Sequence, residues 1–269
     1  KHTYPELTNE ININSGGIAT DAAIYTDSKD FSKYTVMYEV KGKVLYEKLP
    51  FVLEMMHEII YETKFEDEKR LREIIARIKS RMESNMTGSG HTVAMLSAMA
   101  QFSPSSYYSD ILRGYQYYEF IEKADRDFDS MKEMLAENLK RTAALIFTKE
   151  NLTVSFTAED DGLELLQKPM TEFVAKLAQL QGKDAVRTFR PVKEKTAYTS
   201  SSQVQYVARC GNYRKAGYEY TGALKVLKII FSYDYLWLNV RVKGGAYGCM
   251  SGFYRNGDTY MVSDRKSVV

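Results

Sequence analysis

Cysteine is scarce: only Cys210 and Cys249 occur among 269 residues, with no short spacing between them. That argues against a disulfide framework and makes a reducing, cytoplasmic setting the expectation. Neither cysteine has a second thiol two residues away, and the three histidines, His2, His57 and His91, are no better placed for a metal. His57-Glu58 lies in a helical stretch, but a zincin helix needs a second imidazole where Tyr61 stands. His57 therefore reads as a part-buried helix histidine. The inverted motif His-x-x-Glu-His is missing too, so no metal ligand and no catalytic residue is expected in this chain alone. Ser89 sits in Gly-Ser-Gly and not in a Gly-x-Ser-x-Gly elbow, and neither a P-loop nor a dinucleotide fingerprint occurs. Serine-nucleophile and nucleotide chemistry both lack support.

Charge bias is also missing. Lys and Arg number 37 against 35 Asp and Glu, a formal net charge of +2. A nucleic-acid or anionic-membrane partner calls for a concentrated basic face, which this balance does not supply. Apolar runs such as Ala143 to Phe147 fall far short of the ~20 residues that span a bilayer. The opening Lys-His-Thr-Tyr-Pro-Glu lacks both an initiator Met and the basic-then-apolar layout of a secretory signal. With the close at Ser267-Val268-Val269 soon after a strand-like run, both ends read as edges of something longer.

What is present is the composition of a globular protein, 44% hydrophobic and 27% charged, long enough for roughly two domains. Ile11 to Asn14 alternates apolar and polar; with Ala23 to Tyr25 and Tyr34 to Val40 around a polar turn it reads as antiparallel sheet. From Leu49 the period becomes helical, with Pro50 in the first turn. Further helices are expected over 67–86, 91–102, 107–121, 129–144 and 162–180, with a loop at Ser103-Pro104-Ser105-Ser106 and a strand over Asn151 to Thr157. The stretch 181–196 is polar and aperiodic, as a domain linker is. Beyond it come a strand (204–209), a polar loop, a helix over 220–240 and two strands (247–254, 259–263) joined by Asn256-Gly257, a strong hairpin signal. Gly16-Gly17 and Gly244-Gly245 each lead into strand, turn and strand. This echo suggests two related α+β modules.

The octet Arg241-Val-Lys-Gly-Gly-Ala-Tyr-Gly248 carries the most information. Gly244-Gly245 lets the chain turn sharply and approach another backbone. Arg241 precedes the turn and Tyr247 follows it. A guanidinium fork and a phenol then converge, both offering donors to a carbonyl oxygen or a developing oxyanion. The bland reading is an ordinary helix end with a snorkelling arginine and a half-buried strand tyrosine. The 21 tyrosines, among them Tyr107, Tyr108, Tyr115, Tyr117 and Tyr118, read as packing between helices or as the lining of a peptide-gripping cavity.

At this octet the sequence resembles the insulinase (pitrilysin) zinc metallopeptidases, in their presequence-protease-like branch. Tyr4-Pro-Glu-Leu-Thr-Asn-Glu to Gly17, Ser200 to Val207 and Ser232-Tyr-Asp-Tyr-Leu-Trp237 extend the likeness over nearly the whole chain, in the family's order. The resemblance implies an α+β fold of two-layer modules, mainly antiparallel sheet packed on helices, as in mitochondrial processing peptidase. Residues 1–185 would be the later part of a third, non-zinc module, entered partway, and 186–269 the start of a truncated fourth. It implies a zinc cofactor in the parent protein, bound upstream of residue 1, and an N-terminal half of the same protein as partner, closing with this chain around an unstructured peptide. Arg241 and Tyr247, carried by Gly244 and Gly245, would be the pair that reaches the substrate carbonyl. A second expectation is a non-catalytic family member serving as scaffold or partner subunit; a third is an unrelated peptide-binding module whose site is its tyrosines.

Overall fold

The computed structural model describes residues 2–31, 33–180, 189–190, 192, 194–199 and 203–267, the last three as backbone only. The first element is a helix, α1 (Tyr4–Asn14), where alternation pointed to a strand. Thr3 decides this: its amide and hydroxyl both donate to Glu6 Oε2, at 2.8 and 2.7 Å, and Pro5 occupies the first turn. A nucleated helix propagates through Ile11 and Ile13, because four alternating residues are too few to outweigh a well-started helix. Strands β1 (Ile18–Thr26) and β2 (Tyr34–Gly42) form a two-stranded sheet.

A helical run follows: α2 (Leu49–Tyr61), α3 (Glu68–Gly88), α4 (Gly90–Ala100), α5 (Pro104–Arg113), α6 (Tyr115–Arg126), α7 (Phe128–Ile146) and α8 (Gly162–Lys176). The loop expected at 103–106 is the start of α5. Ser103 is its N-cap and Pro104 sits in the first turn, where its missing N–H costs nothing. The strand expected over Asn151 to Thr157 does not form; the segment is exposed and without regular structure. Its β-branched residues have no neighbouring strand among the described residues, and strand preference is expressed through pairing. After β3 (Val204–Asn212), α9 (Ala223–Ile230) runs directly into a π-helix (Phe231–Val242), then β4 (Ala246–Phe253) and β5 (Asp258–Ser267). The fold is α+β with small antiparallel sheets, as expected.

Two compact units emerge. The first comprises Lys1–Ala23, Met37–Glu73 and Asp127–Val186; the second comprises Ile24–Val36, Ile74–Arg126 and Arg187–Val269. Residues 181–188, 191 and 193 of the expected linker, and with them the expected domain boundary at 185/186, lie outside the described residues.

In the first unit, α2 and α8 pack through Val52, Leu53, Phe173 and Leu177, with Ile18, Met56 and Met170 against them. Glu58 on α2 is 5% exposed and accepts from the His2 amide (2.8 Å) and imidazole (2.9 Å). Burial opposes its charge, yet these donors prevail and hold the carboxyl down at about 2. His57 lies against Tyr61 and Phe173. The Tyr61 hydroxyl donates to the Phe147 carbonyl at 2.6 Å and accepts from the Ala178 amide at 3.1 Å, joining the ends of α7 and α8.

In the second unit the three-stranded sheet has the order β3-β5-β4, both pairs antiparallel. Asp258, 2% exposed, accepts from Ser103 Oγ (2.5 Å), Asn212 Nδ2 (2.9 Å) and Asn256 Nδ2 (2.8 Å). One buried carboxylate thus ties the start of α5 to the end of β3 and the β4–β5 turn. Asp110, equally buried, accepts from the Tyr115 amide and from Gln116, joining α5 to α6. Burial raises its pKa against those bonds.

Candidate functional site

The π-helix delivers Arg241 to the site. Its bonds run five residues back, as from the Lys243 amide to the Leu238 carbonyl at 3.0 Å, and such widened turns gather at functional sites. The Gly245 amide closes the end on the Arg241 carbonyl at 2.9 Å, and Gly245 takes φ +72°. A Cβ on Gly244 would stand 2.5 Å from the Val240 carbonyl oxygen. Both glycines are required, one by its dihedral and the other by close approach. Gly17, which precedes β1 as Gly245 precedes β4, also has positive φ.

Across this turn Arg241 Nη1 donates to the main-chain carbonyl of Tyr247 at 2.7 Å. The Arg241 Cζ lies 4.2 Å from the Trp237 ring centroid and 5.6 Å from that of Tyr247. One of five guanidinium hydrogens is used on the carbonyl, and the plane is steadied between two π faces. The Tyr247 side chain is 66% exposed. Cys249 follows on the same strand; burial raises its thiol pKa and Arg241 pulls the other way. The structure thus brings Arg241, Gly244, Gly245 and Tyr247 together at one helix-to-strand turn. Trp237 joins them unannounced, although its place four residues before Arg241 was a signal available in the sequence.

The tyrosines mostly pack against aromatic neighbours. Tyr115 stacks on Tyr198 at 3.7 Å, and Tyr108 meets Tyr34 at 5.5 Å and Tyr107 at 5.7 Å. Zinc, which the resemblance assigns to the parent protein, does not fit the described residues. Among them no group of three or more His, Cys, Asp or Glu side chains is placed to hold a metal ion.

Two family models match. A peptidase-associated domain model covers residues 1–123, and "PreP C-terminal domain" covers residues 195–268, the part that holds the Arg241–Tyr247 turn. The chain belongs to the presequence-protease-like peptidase family. It is 33% identical over 267 residues to "Protein HypA" of Clostridium perfringens, covering 98% of this chain and 27% of that protein. It is 26% identical to "Presequence protease 1, chloroplastic/mitochondrial" of Arabidopsis thaliana (93% and 23%), and 22% identical to the mitochondrial presequence protease of Xenopus tropicalis (92% and 27%). The chain therefore spans about a quarter of the length of these family members. Among the described residues no helix is long and apolar enough to cross a membrane.

Proposed function

We propose that this chain supplies the substrate clamp and part of the chamber wall of a zinc metallopeptidase that degrades short unstructured peptides. The observation that carries this reading is Arg241, fixed by Trp237 and by the Tyr247 carbonyl beside the exposed Tyr247 ring. A pre-oriented guanidinium loses little on meeting a carbonyl oxygen, and its attraction grows as that oxygen gains negative charge. Tyr247 adds a phenol at the same turn. Zinc would be held by residues outside this sequence, in an N-terminal half that closes on this chain, and it would polarise the scissile carbonyl. The two-layer module fold of mitochondrial processing peptidase belongs to the same reading, with residues 186–269 as the clamp-bearing module. Two free cysteines, with the Cys210 thiol pushed up to about 12 by burial, agree with a reducing compartment such as the cytoplasm. The relatives named as mitochondrial and chloroplastic set organelles beside it as the alternative.

The test mixes this chain, with zinc, with the parent's N-terminal half and an unstructured peptide of a few tens of residues. Cleavage only in the mixture, abolished by chelation, supports the reading. No cleavage by halves that verifiably associate makes the chain a scaffold.

A further inference from the structure

A cleft of 670 Å³ opens in the second unit, away from the octet. Its floor is apolar, made by Met95, Leu96 and Met99 of α4 with Phe31 from the β1–β2 turn. Ser105, Ser106 and Ser109 of α5 line one side, with Thr92 and Thr26 beyond them. Two arginines stand at the rim, Arg113 at the last turn of α5 and Arg255 in the β4–β5 turn. Volume and lining are those of a small-ligand site: an apolar body with a few polar groups around it.

The two carboxylates in the lining are already committed. Asp258 is taken up by Ser103, Asn212 and Asn256. Asp27 Oδ1 accepts the Lys29 and Asp30 amides of its own turn, and those bonds hold its pKa low. The other charged groups of the lining are the two guanidiniums. Each carries five donors, so that a contact with the protein leaves others for a ligand, and the fork matches a carboxylate in shape and charge. The hydroxyls select further. A bare alkyl chain laid over them would strip their water without replacing its bonds, whereas a peptide main chain offers partners at each residue.

We propose that this cleft binds the C-terminal residue of a peptide, its apolar side chain on the methionine floor and its free carboxylate at Arg113 and Arg255. The site is distinct from the Arg241–Tyr247 turn and needs neither metal nor peptide cleavage. It therefore stands whether or not the clamp reading holds.

The test is calorimetric titration of the 269-residue chain with acetyl-Ala-Ala-Leu-Phe as the free acid, with the same peptide as its C-terminal amide, and with octanoate. The free acid should bind at least tenfold more tightly than the amide, and octanoate more weakly than the acid. Arg255→Gln, an exposed turn substitution, should weaken the acid at least fivefold, and Arg255→Lys less than that. Arg209→Gln, on the exposed side of β3, should change nothing; circular dichroism checks each fold. Equal affinity for acid and amide, or no binding by the wild-type chain, overturns the proposal. Octanoate binding as tightly as the peptide acid overturns the peptide assignment in favour of a fatty acid.

Discussion

Arg241 donates to the main-chain carbonyl of Tyr247, six residues on, at 2.7 Å, so the guanidinium and the phenol are positioned by each other's backbone and not by chance of rotamer. The bond is possible because a π-helix, a positive-φ glycine and a strand follow one another without an intervening loop. The turn itself is therefore the first place to perturb.

Gly245→Ala should destabilise the second unit by about 1 kcal/mol, because an L-residue resists φ +72°. Gly244→Ala should cost at least as much, since its Cβ meets the Val240 carbonyl. Chemical denaturation of the two variants measures both. Stability equal to wild type would mean that the turn relaxes freely.

The buried carboxylate of Asp258 gives a larger expected effect. Asp258→Ala leaves a hydroxyl and two amides facing a void, a loss of about 3 kcal/mol. Chemical denaturation checks it, and a loss below ~1 kcal/mol would show that water replaces the carboxylate.

Acid should loosen the first unit in a defined window. Glu58 sits at about 2 in the folded chain, against about 4.3 for an unperturbed glutamate. A carboxyl depressed on folding stabilises fully above the unfolded value, and that contribution is lost as pH falls from about 4.3 toward 2. Glu58→Gln should remove about 2 kcal/mol at pH 7 and flatten the acid limb of stability against pH. An unchanged acid limb would rule out the His2–Glu58 contact as its source.

Thiol labelling separates the cysteines. Burial pushes Cys210 up to about 12, leaving almost no thiolate near neutral pH, while Cys249 is opposed in the same direction by burial but assisted by Arg241. Maleimide at pH 8, read by mass spectrometry, should modify Cys249 first. Preferential labelling of Cys210 would contradict its burial.

Much of this was legible in the sequence, and what was not has particular causes. The spacing of Leu49, Val52, Leu53 and Met56 announced α2, and Asn256-Gly257 announced the β4–β5 hairpin, because period and turn chemistry are local. Ile11 to Asn14 misled because its strand-like alternation is as local as the signal from Thr3, Pro5 and Glu6 that overrides it. Pro104 was readable either as loop or as first helical turn, and its capping neighbour Ser103 decides in favour of the helix. Asn151 to Thr157 has strand chemistry without a partner, a fact that no window of residues contains. At the candidate site, Arg241, Gly244, Gly245 and Tyr247 were visible as an octet. The π register and the Trp237 face beneath Arg241 were not, since nothing in helix propensity distinguishes a four-residue from a five-residue bond.

The clamp is tested most directly by steady-state cleavage of an unstructured peptide by the full-length parent protein, comparing Arg241→Ala and Tyr247→Phe with wild type. The account predicts that kcat falls by about tenfold or more in each, as expected for loss of a donor to a developing oxyanion, with the fold retained. Wild-type kcat in both variants would contradict it.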